Sequence, residues 1–124
     1  MFCTHIFFNG NCLEAIHLYQ RAFQAEVLVL IMNPENGKEQ QVIHAEIAIH
    51  GEKLMLNDFG NLQGVTHPDG YQLVVQFESV SALEAAYHEM EDGAVILSPK
   101  QATDYSPCVT QLIDRFGTRW AFMV

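Results

Sequence analysis

Residues 50–58 read HGEKLMLND, and residues 116–124 read FGTRWAFMV. Both place a glycine after a large residue, then a short polar pair, then an apolar run with strand character. Working outward from these two stretches, the segments before them also repeat. THIFFNG, ending in the turn pair Asn9-Gly10, predicts a strand and a turn. NCLEAIHLYQRAFQAE predicts a helix, with Leu13, Ile16, Ala22 and Phe23 at helical spacing and Tyr19 near the same face. Asn11 is the expected N-cap, with Glu14 three residues on in the manner of a capping box. AEVLVLIM follows as an apolar strand that NPENGKE ends, and QVIHAEIAIH and EKLMLND complete β-α-β-β-β near Asp58.

The order then starts again. YQLVVQFES predicts a strand, and SVSALEAAYHEMED a helix capped by Ser79 or Ser81 and stopped at Gly93. AVILS is a strand, PKQATDYSP a loop, and VTQLIDRFG with TRWAFMV the closing pair. HIFF answers to QLVV, LEAIHLY to LEAAYHE, and HGEKLML to FGTRWAF. A module used twice explains why the same turn and strand occur twice. The chain of 124 residues reads as one domain: module one over 1–59, a glycine- and proline-punctuated linker over 60–70, and module two over 71–124.

Charge narrows the function. Six Lys and Arg stand against fifteen Asp and Glu, a formal net charge of −9 with no basic run. A nucleic-acid partner needs clustered cations to neutralise phosphates, so that class is excluded, and an anionic lipid surface is disfavoured on the same ground. No stretch approaches the ~20 apolar residues of a membrane span. The N-terminus lacks the basic start and cleavage signal of a secretory leader. Cys3, Cys12 and Cys108 form no CxxC or zinc-ribbon spacing and read as free thiols of a cytoplasmic protein.

Strand alternation sorts the side chains into two faces. One set is apolar: Ile6 and Phe8, Ile47 and Ile49, Leu54 and Leu56, Leu73, Val75 and Phe77, Trp120 and Phe122. The other carries His5 and Phe7; His44, Glu46 and Ala48; Met55 and Asn57; Gln72, Val74 and Gln76; Thr110 and Leu112; Arg119, Ala121 and Met123. Histidines, a glutamate, glutamines and an arginine set among apolar groups are what a small-molecule pocket requires. Arg119 can hold a carboxylate, phosphonate or phosphate through two parallel hydrogen bonds, or pair with Glu46. Asp58 and Asp104 read as turn carboxylates in contact with solvent.

FNGNCLEAIHLYQRAF at 8–23, HAEIAIHGEKLMLND at 44–58 and DRFGTRW at 114–120 resemble the vicinal oxygen chelate superfamily of glyoxalase I, bleomycin-resistance proteins and extradiol dioxygenases. The narrower resemblance is to its PhnB-type branch, described as 3-demethylubiquinone 3-methyltransferase-like. It implies an α+β fold in which two tandem β-α-β-β-β modules form a curved eight-stranded mixed sheet, helices on the convex face and a ligand cavity on the concave one. It also implies a homodimer. Methyl transfer is not expected, because no glycine-rich strand-turn-helix for a nucleotide-type cofactor is present.

Metal-dependent members of the superfamily carry one ligand on each first and each fourth strand of a module. The matching positions are His5, Met55, Gln72 and Ala121, of which only His5 is a good ligand. No cofactor is therefore expected, a divalent metal remaining conceivable only at a displaced site of His5, His44 and Glu46. The leading expectation is a protein of the glyoxalase/bleomycin-resistance type that binds a small organic molecule without a metal. The expected ligand contacts are Phe7, His44, Met55, Asn57, Gln72, Gln76, Thr110 and Arg119. The alternative is an isomerase or lyase working through an enolate, with His5 or Glu46 moving the proton and Glu46 raised in pKa by burial. A structural or regulatory dimerisation module is the third reading.

Overall fold

The computed structural model describes residues 1–61 and 70–124. The chain divides into two compact units, Met1–His67 and Pro68–Val124. Most of the linker read over 60–70 thus lies outside the described residues.

The first unit contains β1 (Thr4–Phe7), α1 (Cys12–Phe23), β2 (Glu26–Met32), β3 (Val42–Ile49) and β4 (Glu52–Asn57), with strand order β1-β4-β3-β2. The second contains β5 (Leu73–Gln76), α2 (Val80–Met90), β6 (Val95–Gln101), β7 (Val109–Ile113) and β8 (Arg119–Met123), in the order β5-β8-β7-β6. The β-α-β-β-β repeat is therefore present in both its elements and its pairing. Each first strand runs parallel to the fourth strand of its own module, and the other pairs are antiparallel. Among the described residues the eight strands form two four-stranded sheets rather than the single curved sheet expected.

Packing follows the alternation. Ala45, Ile47, Leu54 and Leu56 are buried in the first sheet, and α1 contributes Cys12, Ala15, Ile16, Leu18, Tyr19, Ala22 and Phe23 to the core. In the second unit Val75, Leu112, Trp120 and Phe122 are buried, as are Leu83, Ala86 and Met90 of α2. Burying such side chains contributes on the order of 1.5–3 kcal/mol each, which fixes the register because a one-residue slip would turn them to solvent.

Two expectations for the second unit change. β6 continues through Pro99, Lys100 and Gln101, which the sequence suggested as loop. An edge strand tolerates proline because one row of its backbone groups needs no partner, and register shifts near Ser98 absorb the misfit. Thr110 also changes face. It pairs with Phe122 and Leu112 with Trp120, so both belong to the apolar face, and Thr110 is fully buried with its hydroxyl donating to the Ser98 carbonyl at 2.7 Å. Val109, Gln111 and Ile113 take the other face. The run Val109–Ile113 mixes apolar and polar residues in both phases, so alternation could not choose between them. Pairing does.

Candidate functional site

Ladder register brings five polar side chains of the first module onto one face. His5 pairs with Met55 and Phe7 with Asn57, while Glu46 also pairs with Met55 and Ala48 with Lys53. Directly opposed residues share a face, so His5, Phe7, His44, Glu46, Lys53, Met55 and Asn57 stand together. Lys53 was absent from the sequence reading, although counting two back from Met55 finds it.

Glu46 is the hub of this group. His44 Nε2 lies 2.8 Å from Glu46 Oε2, and Lys53 Nζ lies 3.0 Å from Glu46 Oε1, with the glutamate side chain only 18% exposed. The hydrogen bond from His44, followed by that from Lys53, holds the Glu46 carboxyl below its ordinary range. This corrects the expected rise, since two donors outweigh desolvation. An ionised carboxylate can only accept, so His44 Nε2 carries a proton.

His5 is set the other way. The Asn57 side-chain oxygen accepts from the Phe59 N–H at 2.9 Å, which turns its NH₂ group toward His5 Nε2 at 3.1 Å. His5 Nε2 must then accept, leaving the proton on Nδ1. Burial, then the neighbouring His44, lowers the His5 pKa, in keeping with a neutral ring. The His5 ring stacks on Phe7 at 4.7 Å and meets His44 edge-on at 6.0 Å. The two imidazoles thus use Nε2 in opposite ways, His44 donating through it and His5 accepting. Asn57, expected to touch a ligand, is 8% exposed and orients His5 instead.

On the second module's equivalent face stand Val74, Gln76, Val109, Gln111, Arg119, Ala121 and Met123. Register revises the match between the repeats. His5–Met55 corresponds to Val74–Ala121, so Val74 rather than Gln72 stands at the position of His5. HIFF and QLVV resemble each other two residues out of step. The four metal positions become His5, Met55, Val74 and Ala121, an imidazole, a thioether and two alkyl groups. A divalent ion that wants three or four N or O donors is not matched by these residues. The displaced set fares no better, because Glu46 is already bound to His44 and to a Lys53 ammonium that would repel a cation. Among the described residues, no group of three or more His, Cys, Asp or Glu is placed to hold a metal ion.

The acids and thiols take structural roles. Asp58 is buried, with Oδ1 accepting from the N–H groups of Gly10 (2.7 Å) and Cys12 (3.0 Å) and Oδ2 from Val42 N–H (2.8 Å). It is not a solvated turn residue. The Asn11 side chain makes no cap bond, and Asp58, 46 positions beyond Cys12, caps α1 in its place. At α2 the cap is Ser79, accepting from Ala82 N–H at 3.1 Å. Burial, and then Asp58, pushes the Cys12 thiol up to about 12, so it is inert as a nucleophile at neutral pH.

The family model described as 3-demethylubiquinone-9 3-methyltransferase matches residues 1–123. The chain belongs to this family. Protein YjdN of Escherichia coli (strain K12) is 26% identical over 97% of this chain and 92% of its own. A PhnB protein structure from Bacillus cereus is 27% identical, with a TM-score of 0.81 over 98% of this chain and 97% of that one. A glyoxalase/bleomycin resistance protein/dioxygenase family enzyme from Burkholderia phytofirmans shares the fold at 15% identity and TM-score 0.69, covering 98% and 94% of the two chains. That shared fold is the one the sequence motifs implied.

Proposed function

We propose that this protein binds a small organic molecule on the His5–His44–Glu46 face of its first module, without a metal and without moving a proton. The state of Glu46 carries this reading. A general base needs a pKa near the working pH, and Glu46 is held below the ordinary carboxylate range by His44 and Lys53. The Nε2 of His5 is likewise occupied by Asn57. What remains suits recognition: Nδ1–H of His5 as donor, the outward Nδ1 of His44 as a second polar contact, and Phe7 and Met55 as apolar surface. The methyltransferase in the family's description is not carried over as an activity.

The test is a ligand screen read two ways, by thermal shift and by NMR recovery of the compound. A true ligand raises the melting temperature, is recovered unchanged, and loses its effect in His5→Ala. Conversion of a ligand, abolished by His5→Ala or Glu46→Gln, would establish the isomerase or lyase reading instead. Added zinc, nickel or iron should change neither measurement.

The same proposal extends to a cytoplasmic homodimer. β2 is an edge strand whose Val27, Leu28, Leu30 and Ile31 are between 36% and 49% exposed, with no proline or lysine to blunt it. Such an edge is a template for a second copy. Light scattering should find a dimer, and Leu30→Lys should shift it toward monomer.

A further inference from the structure

Each module carries a base near the start of its last strand on the polar face, Lys53 in β4 and Arg119 in β8. The two are equivalent by register, Lys53 pairing with Ala48 and Arg119 with Ile113. In the first module Glu46, two residues before Ala48, holds Lys53 at 3.0 Å. Two residues before Ile113 stands Gln111, which is neutral. The second module has kept the cation and lacks its acid.

The consequence is visible across all six basic residues. Lys38 pairs with Glu35, Lys53 with Glu46 and Arg115 with Asp92, while Lys100 lies 4.6 Å over the Tyr87 ring. Arg21 is also partnered. Among the described residues only Arg119, half-buried, makes no ion pair, ring contact or side-chain hydrogen bond. A shortage of acids is not the cause, because the chain has fifteen.

A second unmet group stands just before the first pair of the β5–β8 ladder. Gln72 precedes Leu73, whose partner Trp120 follows Arg119. The Gln72 Oε1 atom is buried and, among the described residues, accepts no hydrogen bond. A buried acceptor without a donor costs on the order of 1–3 kcal/mol, so the site is incomplete as it stands. An oxyanion would pair with the Arg119 charge, and a neighbouring O–H or N–H would satisfy Gln72.

We propose that the polar face of the second module is an oxyanion site. Arg119 takes two oxygens of a carboxylate or phosphoryl group, and Gln72 Oε1 accepts from a hydroxyl or amine beside them. Hydrogenphosphate and α-hydroxy carboxylates share this chemistry. Binding at the first module is not required for it.

The Nε–H resonance of Arg119, followed by ¹⁵N NMR at constant ionic strength, reports directly. Sodium phosphate, glycolate and acetate are titrated into the wild type, Gln111→Glu and Arg119→Ala, with circular dichroism confirming the fold of each. The expected result is a saturable shift in the wild type, weakened about tenfold or more in Gln111→Glu, where the absent acid is restored. Glycolate should bind more tightly than acetate through Gln72. Saturation by phosphate alone assigns the site to phosphoryl groups, and by glycolate alone to hydroxy acids. Non-saturating shifts with all three anions, or a Gln111→Glu titration matching the wild type, overturn the proposal. Equal affinity for glycolate and acetate removes Gln72 from it. Should Gln111→Glu not fold, Arg119→Ala decides by thermal shift, since phosphate must then stabilise it no more than chloride does. A ligand lost in His5→Ala but kept in Gln111→Glu belongs to the first module, so the two proposals fail separately.

Discussion

The two modules share a plan and differ in how each one closes. Both keep one buried carboxylate that accepts three N–H bonds, yet at different places. Asp58 follows β4 and joins the strand end to the start of α1 and of β3. Asp114 follows β7, where its oxygens accept from Phe116 N–H, Thr118 N–H and the Trp120 indole at 2.9 to 3.0 Å. The β3–β4 hairpin needs no such acid, because His50 and Gly51 both adopt positive φ in a two-residue turn. The longer turn from Asp114 to Thr118 does. At the end of β8 the tying group is Ser106, whose hydroxyl donates to a carbonyl of Cys108 or Val124 and accepts from the N–H groups of both. Duplicated modules conserve the need to satisfy backbone groups, and each copy meets it with its own residues.

The largest expected effect tests that parallel. Asp58→Ala and Asp114→Ala each strand three donors, and each should lose about 3 kcal/mol or more in chemical denaturation. A loss below about 1 kcal/mol for either would break the comparison. A smaller effect sharpens it at the edge strands. Thr110→Val keeps the shape but removes the bond to Ser98 that ties bulged β6 to β7, and should cost about 1 kcal/mol. The corresponding Ala45 has no hydroxyl, so Ala45→Ser should gain nothing comparable.

The smallest effect is in pH dependence, and it belongs to the first module. Folded His5 binds its proton less readily than the unfolded chain, so stability should fall as pH drops from 6.5 through the lowered folded value. Glu46 adds a second loss as pH falls below 4.5, because its folded pKa is also depressed. His5→Asn should remove the upper step and Glu46→Gln the lower one, read as urea midpoints against pH. Val74 and Gln111, at the same places in the second module, do not titrate. Replacing either by Leu should leave the pH profile unchanged.

By itself the sequence determined the repeat, the element order, the family and the apolar face, because burial stamps a period of two or 3.6 on the chain. It also placed His5, His44 and Glu46 together, since alternation along β1 and β3 is clean. Tertiary structure decided the rest for three physical reasons. Thr110 and Gln111 lie in a run with one polar residue in each phase, where only pairing with Phe122 and Ala121 settles the face. The N-terminal partner of α1 comes from Asp58, 46 residues beyond Cys12, and no local pattern announces it. The protonation of Glu46 and His5 depends on Lys53, Asn57 and the Phe59 N–H, so a sequence can name the titrating groups while only their neighbours set which atom holds the proton.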